Sequence, residues 1–241
     1  RLLSFLSITF LAACATKAPR EVVSPYKPTA PGLTIPNAHI VSRAKGTLIR
    51  GQSPHRKVAE LKKAGVTQVL IFKEGSDGKL DDLFKELNEQ GYGPTQVQQV
   101  PFRWKQLPAF RESCRQTLTA LRKLQQARST RGEVLYFHCT AGEDRTGYLA
   151  GLFRMIFEGW SKERAFQEEL CQYGYGAADP TKPKAISEQI DQGLTPLFLQ
   201  MAGLIEKGQI RRASLNDAVC EQSPPVITSI EGFRCKPSEK L

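Results

Sequence analysis

The sequence predicts an α/β fold: a central, largely parallel sheet of about four to five strands, covered by helices on both faces. Three observations carry this. Short apolar runs such as TQVLIF (67–72) and EVLYF (133–137) have the length and β-branched or aromatic content of buried strands. Longer stretches between them repeat their apolar residues at helical spacing. Alternation of the two kinds of segment implies parallel strands joined by crossover helices.

Taken in order, GTLIRGQSP (46–54) is a short strand and turn, and HRKVAELKKAGV (55–66) is an amphipathic helix stopped at Gly65. TQVLIF follows as a strand and KEGSDG (73–78) as a loop. KLDDLFKELNEQG (79–91) is a helix ended by Gly91. TQVQQVPF (95–102) is the next strand. A long helix covers 107–127, with Pro108 in its first turn. EVLYF is the last strand. Two or three helices then run from Arg145 to about Ile210, split near YGYGAADP (173–180). No internal repeat is present, and residues beyond 212 carry no clear period.

The chain has 241 residues and a formal net charge of +10, from 34 Lys plus Arg against 24 Asp plus Glu. That balance favours acidic partners. Dispersed basic residues without interleaved aromatics argue against a nucleic-acid groove, which leaves phosphorylated small molecules or an anionic membrane surface. The opening RLLSFLSITFLAAC has a basic start, an apolar core and small residues, as a secretory signal does. Its LAAC ending resembles the lipobox of bacterial lipoproteins, which implies diacylation of Cys14. Residues 15–36 are rich in Pro and Thr, without period, and read as a tether.

The expected organisation is a signal peptide (1–13), a lipidated N-terminus and Pro-rich tether (14–40), a catalytic domain (41–212) and a C-terminal tail (213–241). The expected setting is the periplasmic side of a bacterial membrane, with the outer membrane one option. The chain is expected to be a monomer held to the membrane by its lipid. Setting aside Cys14 and Cys139, four of the six cysteines remain, an even number in a compartment that permits disulfides. Cys220 and Cys235 bracket a Pro-containing tail and are expected to pair, leaving Cys114 with Cys171. Alternatively, Cys114 and Cys171 are small apolar residues on helix faces.

The densest chemistry lies in HCTAGEDRTG (138–147), between a strand and a helix. Such a loop aims its free backbone N–H groups and the positive end of a helix dipole at an anion. A thiol at its floor, Cys139, loses its proton readily there. The residues Thr140, Ala141, Gly142 and Glu143 close a ring of N–H donors, and Arg145 can hold two phosphate oxygens with its planar fork. Gly142 supplies the positive φ such a ring needs. Thr146 can donate to the sulfur, and His138 is expected to fix the loop and support the thiolate.

HCTAGEDRTG is similar to the His-Cys-(any five)-Arg-Thr-Gly pattern of the protein tyrosine phosphatase superfamily. LIRGQSP (48–54) and GVTQVLIFKEG (65–75) resemble the opening of its small, dual-specificity-like bacterial members. The resemblance covers roughly residues 40–210. It implies in-line attack by Cys139 on phosphorus, a phosphocysteine intermediate, stabilisation by Arg145 and the loop amides, and no metal or other cofactor. The three histidines are scattered; His39 and His55 read as ordinary surface or turn residues.

One departure concerns the proton donor. Relatives carry a general-acid Asp some thirty residues before the Cys, yet VPFRWKQLPAF (100–110) holds no carboxylate. Asp144 is the better candidate, since some bacterial relatives with GKDRTG loops carry an Asp there. Glu143 stands where they have Lys. Lys73, Arg103 and Lys105 follow strand ends on the same edge as Cys139, and three cations there suit an inositol polyphosphate. Trp104 could instead stack on an aromatic ester, which keeps a phosphotyrosine or dual-specificity phosphatase open. A third alternative is an inactive phosphate-binding module that kept the loop and lost its acid.

Overall fold

A computed structural model describes residues 23–75, 79–104 and 109–237. The expected signal peptide, Cys14, Lys105 and Pro108 lie outside the described residues. Five strands form one sheet: β1 (His39–Arg43), β2 (Thr47–Gly51), β3 (Gln68–Phe72), β4 (Val97–Val100) and β5 (Val134–His138). Their order is β1-β2-β5-β3-β4; β2, β5, β3 and β4 run parallel, and β1 lies antiparallel on the β2 edge. The sequence pattern does not announce β1, because its HIVSR run mixes His, Ser and Arg with only two apolar residues.

Side-chain alternation along the buried strands makes two cores. Val69 and Ile71 of β3, with Tyr136 of β5, face α1 (Val58–Lys63) and α2 (Lys79–Glu89). Leu70 and Phe72 of β3, with Leu135 and Phe137 of β5, face the larger helical layer. That layer holds α3 (Phe110–Ser129), α4 (Asp144–Glu158), α6 (Lys184–Gln192) and α7 (Leu194–Glu206). The short α5 (Lys162–Arg164) widens into a π-helical turn over Ala165–Leu170, packed on α4. Burial on both faces explains why the strand segments read as continuous apolar runs.

Three expectations need correction. The segment expected as a free tether is packed from Ser24 onward: Leu33, Ile35 and Ala38 are buried, and β1 starts at His39 rather than after 40. Few apolar residues are needed there, since Leu33, Ile35 and Ala38 fill space beside α1 in the smaller core. The tail is likewise strapped down, with Val219, Cys220 and Cys235 buried.

The disulfides are Cys114–Cys220 and Cys171–Cys235. Arg111 and Arg115 pair with Glu221, and Arg122 with Asp217, so residues 217–221 lie along α3 and bring Cys220 to Cys114. The tail then crosses the helical layer with Ile227, Ile230 and Phe233 against it. An extended chain advances about 3.3 Å per residue, so this path carries Cys235 away from Cys220 and delivers it to Cys171.

Candidate active site

Parallel register brings the functional residues to one edge. Gly51 of β2 and Ile71 of β3 both stand level with His138 of β5, and Phe72 stands level with Val100 of β4. The chain therefore leaves three neighbouring strands at Gln52, Cys139 and Lys73 on the carboxyl edge of the sheet, where α/β folds place ligands.

Residues 139–143 turn from β5 into α4. Their carbonyls point outward and are held there. Cys139 O accepts from His138 Nδ1 at 2.7 Å, and Thr140 O accepts from Ser53 N at 3.0 Å. Gly142 O accepts from Asn37 Nδ2 at 3.2 Å and from Arg50 Nη2 at 2.7 Å. Glu143 O accepts from Arg50 Nη2 at 3.3 Å and from Gly147 N at 2.7 Å. In a planar trans peptide the next N–H points opposite to the carbonyl. The amides of Thr140, Ala141, Glu143 and Asp144 therefore face inward, a ring of donors for an anion. Gly142 has φ +76°, and a Cβ there would collide with the backbone of Gly51 and Gln52. Glycine is required twice over.

Cys139 lies 3% exposed at the floor of this ring. Burial pushes its thiol pKa up, but the Arg145 charge and the hydroxyl and amide of Thr146 pull harder, and the net shift is downward. The Thr146 hydroxyl is buried and completes no hydrogen bond, so its influence on the sulfur is that of a close dipole. Arg145 Nη2 donates to Thr140 Oγ1 at 3.1 Å, which draws the guanidinium across the loop. His138 is fully buried, and burial lowers its pKa to about 3. It acts on the loop as a neutral ring donating to Cys139 O, so it aids the thiolate by geometry and not by charge.

The two acidic side chains of the loop converge on one lysine. Asp144 Oδ1 accepts from Lys182 Nζ at 2.7 Å and from Gly176 N at 2.9 Å. Glu143, whose amide belongs to the anion ring, sends its side chain behind the loop, 1% exposed, with Oε2 3.0 Å from Lys182 Nζ. Of the three expected mouth cations, Lys73 and Arg103 fall among the described residues. Lys73 is nearly buried at the end of β3, and its charge reaches His138. Arg103 is exposed and its Nε donates to Glu74 Oε2 at 2.6 Å. Trp104 is half-buried and packs on the larger core.

Sequence reasoning missed the support behind the loop. Arg50, on β2, is fully buried; its Nη1 donates to Glu169 O at 2.8 Å and to Glu169 Oε1 at 2.9 Å. Arg154 Nε donates to Glu169 Oε2 at 2.9 Å, and His39 Nε2 lies 3.2 Å from Glu169 Oε1. His39 is thus no surface residue: it is buried and stacked on Tyr173 at 3.6 Å between ring centroids. Burial of Glu169 opposes ionisation, but His39, Arg50 and Arg154 outweigh it and hold the carboxyl at about 2. A charged residue inside an otherwise apolar strand, the Arg of TLIRG, is the signal that could have found Arg50.

The sequence model of the tyrosine phosphatase family matches residues 45–168, which include the loop and its strand and helix. The chain belongs to the tyrosine phosphatase family. Among curated proteins it is 30% identical over 160 residues to the dual specificity protein phosphatase TpbA of one Pseudomonas aeruginosa strain, covering 66% of this chain. With TpbA of a second strain the identity is 32% over 138 residues and 57% of this chain. The matched regions span 65% and 56% of those relatives' own lengths, less than two thirds. Among solved structures, P. aeruginosa TpbA is 24% identical with a TM-score of 0.43, covering 69% of this chain and 91% of that one. The core catalytic domain of a PP-IP phosphatase from S. cerevisiae is 18% identical with a TM-score of 0.46, covering 65% and 83%.

Proposed function

We propose that the protein is a cysteine-dependent phosphomonoesterase. The carrying observation is the ring of inward amides closed by Arg145 over a thiol whose pKa is lowered. In this reading the Cys139 thiolate attacks phosphorus opposite the leaving oxygen, forming an S–P bond as the P–O bond breaks. Arg145 and the loop amides stabilise the charge on the equatorial oxygens. The leaving alkoxide takes its proton from Asp144, whose Oδ1 is anchored by Lys182 and Gly176. Water then cleaves the phosphocysteine to thiolate and inorganic phosphate.

Phosphorylated protein side chains are the substrate class this reading favours. The curated relatives at 30% and 32% identity carry the name dual specificity protein phosphatase. The inositol polyphosphate reading rests on the net charge of +10 and on Lys73 at the strand edge. Phosphate release from phosphotyrosine peptides, inositol hexakisphosphate and an aryl phosphate separates the two, and no release from any of them leaves a phosphate-binding module. Cys139→Ser should abolish turnover and retain oxyanion binding; substantial residual rate in that variant would refute the covalent route. Asp144→Asn should slow alkyl phosphates far more than aryl phosphates, whose leaving groups need no proton.

We also infer export and diacylation at Cys14. Two disulfides support an oxidising compartment. Labelling with a palmitate analogue, absent in Cys14→Ser, is the expected result.

A further inference from the structure

We propose that Lys182 is a positioning residue that clamps both acidic side chains of the catalytic loop, and that proton loading of Glu143 behind that clamp sets how tightly the loop holds an oxyanion. The inference rests on the phosphatase reading only for the identity of the site.

The geometry joins two segments, 143–144 and 174–182, that are 38 positions apart at Asp144 and Lys182. Lys182 Nζ lies 2.7 Å from Asp144 Oδ1 and 3.0 Å from Glu143 Oε2, and donates to Gly174 O at 2.7 Å. Its side chain is 8% exposed. Asp179 caps the turn that presents it, accepting from Thr181 N and Thr181 Oγ1, both at 2.8 Å. One ammonium thus ties the loop to the 174–182 segment, immediately before the helix that carries Arg145.

One cation faces two acidic side chains, so a proton taken up by Glu143 makes the trio one unit more positive whatever the state of Asp144. Neither Glu143 oxygen has an aligned donor, and the Lys182 contact is an ion pair without hydrogen-bond alignment. Burial raises the Glu143 pKa to about 7; Lys182 and the Ser24 hydroxyl oppose the shift, while Asp144 and Asp179 add to it. Arg50 faces the same residue but binds its carbonyl. Lys182 stays charged throughout, since its carboxylate partners outweigh burial and raise its pKa. Below about pH 7 the loop therefore gains one positive unit beside the anion, and above it that unit is lost.

Sulfate is the suitable probe, because its charge is constant from pH 5.5 to 8.5. Its affinity, measured by calorimetry on the full chain, should fall about tenfold as pH rises through 7, the effect of one charge change beside a dianion. Glu143→Gln should flatten that step. Lys182→Met should move it to higher pH, because the cation that lowers the Glu143 pKa is gone, and Lys182→Arg should restore it. A merely structural lysine would lower stability and leave the step in place. An unchanged step in Glu143→Gln overturns the proposal, even if Lys182→Met fails to fold. Sulfate binding does not need turnover, so a chain that binds with this pH step but releases no phosphate would fail the phosphatase reading alone.

Discussion

Two charged clusters flank the catalytic loop and differ in kind. Behind it, Glu169 is buried among His39, Arg50 and Arg154, and Arg50 reaches through to the carbonyls of Gly142 and Glu143. At the rim, Arg103 meets Glu74 in solvent. Both are ion pairs shorter than 3.3 Å. In the first, water cannot replace a lost partner, so each group depends on the others for its lone pairs and protons. In the second, water and salt compete throughout, and the contact adds little. Proximity alone does not rank charged contacts; burial does.

The comparison is broken most severely at Arg50. Arg50→Ala takes one of three partners from buried Glu169 and one donor from each of two loop carbonyls, and removal of one partner from a buried pair costs about 3–5 kcal/mol. Denaturant titration should show that loss, and activity should fall with it even at temperatures where the variant is folded. Next come the disulfides. Cys171 lies two residues before Tyr173, whose carbonyl accepts from Asn37, a ligand of the loop. The paired variant Cys171→Ser with Cys235→Ser should lose about 2–5 kcal/mol of stability. It should also lose activity, whereas Cys114→Ser with Cys220→Ser should lose stability alone.

A milder effect appears in acid. Glu169 falls from 4.5 to about 2 on folding, so its stabilisation is complete above the ordinary carboxylate value and is lost as pH drops through that window. Acid unfolding of Glu169→Gln should therefore be shallower between pH 4.5 and 2 than that of the parent, from a lower starting stability. The smallest change is expected at the rim. Arg103→Ala should leave the melting temperature unaltered and change turnover by less than about twofold. A selective loss on inositol hexakisphosphate would instead show that Arg103 leaves Glu74 for substrate.

Much of the fold was legible because its signals are local. TQVLIF and EVLYF announce strands by apolar content, and KLDDLFKELNEQG announces a helix by its period and its terminal Gly91. β1 escaped because HIVSR shows little hydrophobicity: His39 and Ser42 are buried polar residues, while Val41 faces one core and Ile40 the other. The loop chemistry was legible for the same reason: Cys139, Gly142, Arg145 and Thr146 lie within eight positions. The Glu143 amide was legible in the same way, but the path of its side chain was not, since nothing local says which way a loop side chain turns.

By itself the sequence determined the parallel α/β order, the anion loop between a strand and a helix, and the thiol and guanidinium that face it. Each follows from residue periodicity or from backbone geometry within a few positions. Tertiary structure alone decided which cysteines pair, that His39 is buried and which lysine answers the loop acids. Arg50 and Glu169 are 119 positions apart, Lys182 and Asp144 are 38 apart, and Cys114 and Cys220 are 106 apart. Those partners are selected by packing, because a buried charge or thiol must be matched by whatever the folded chain places beside it, and no spacing rule encodes that match.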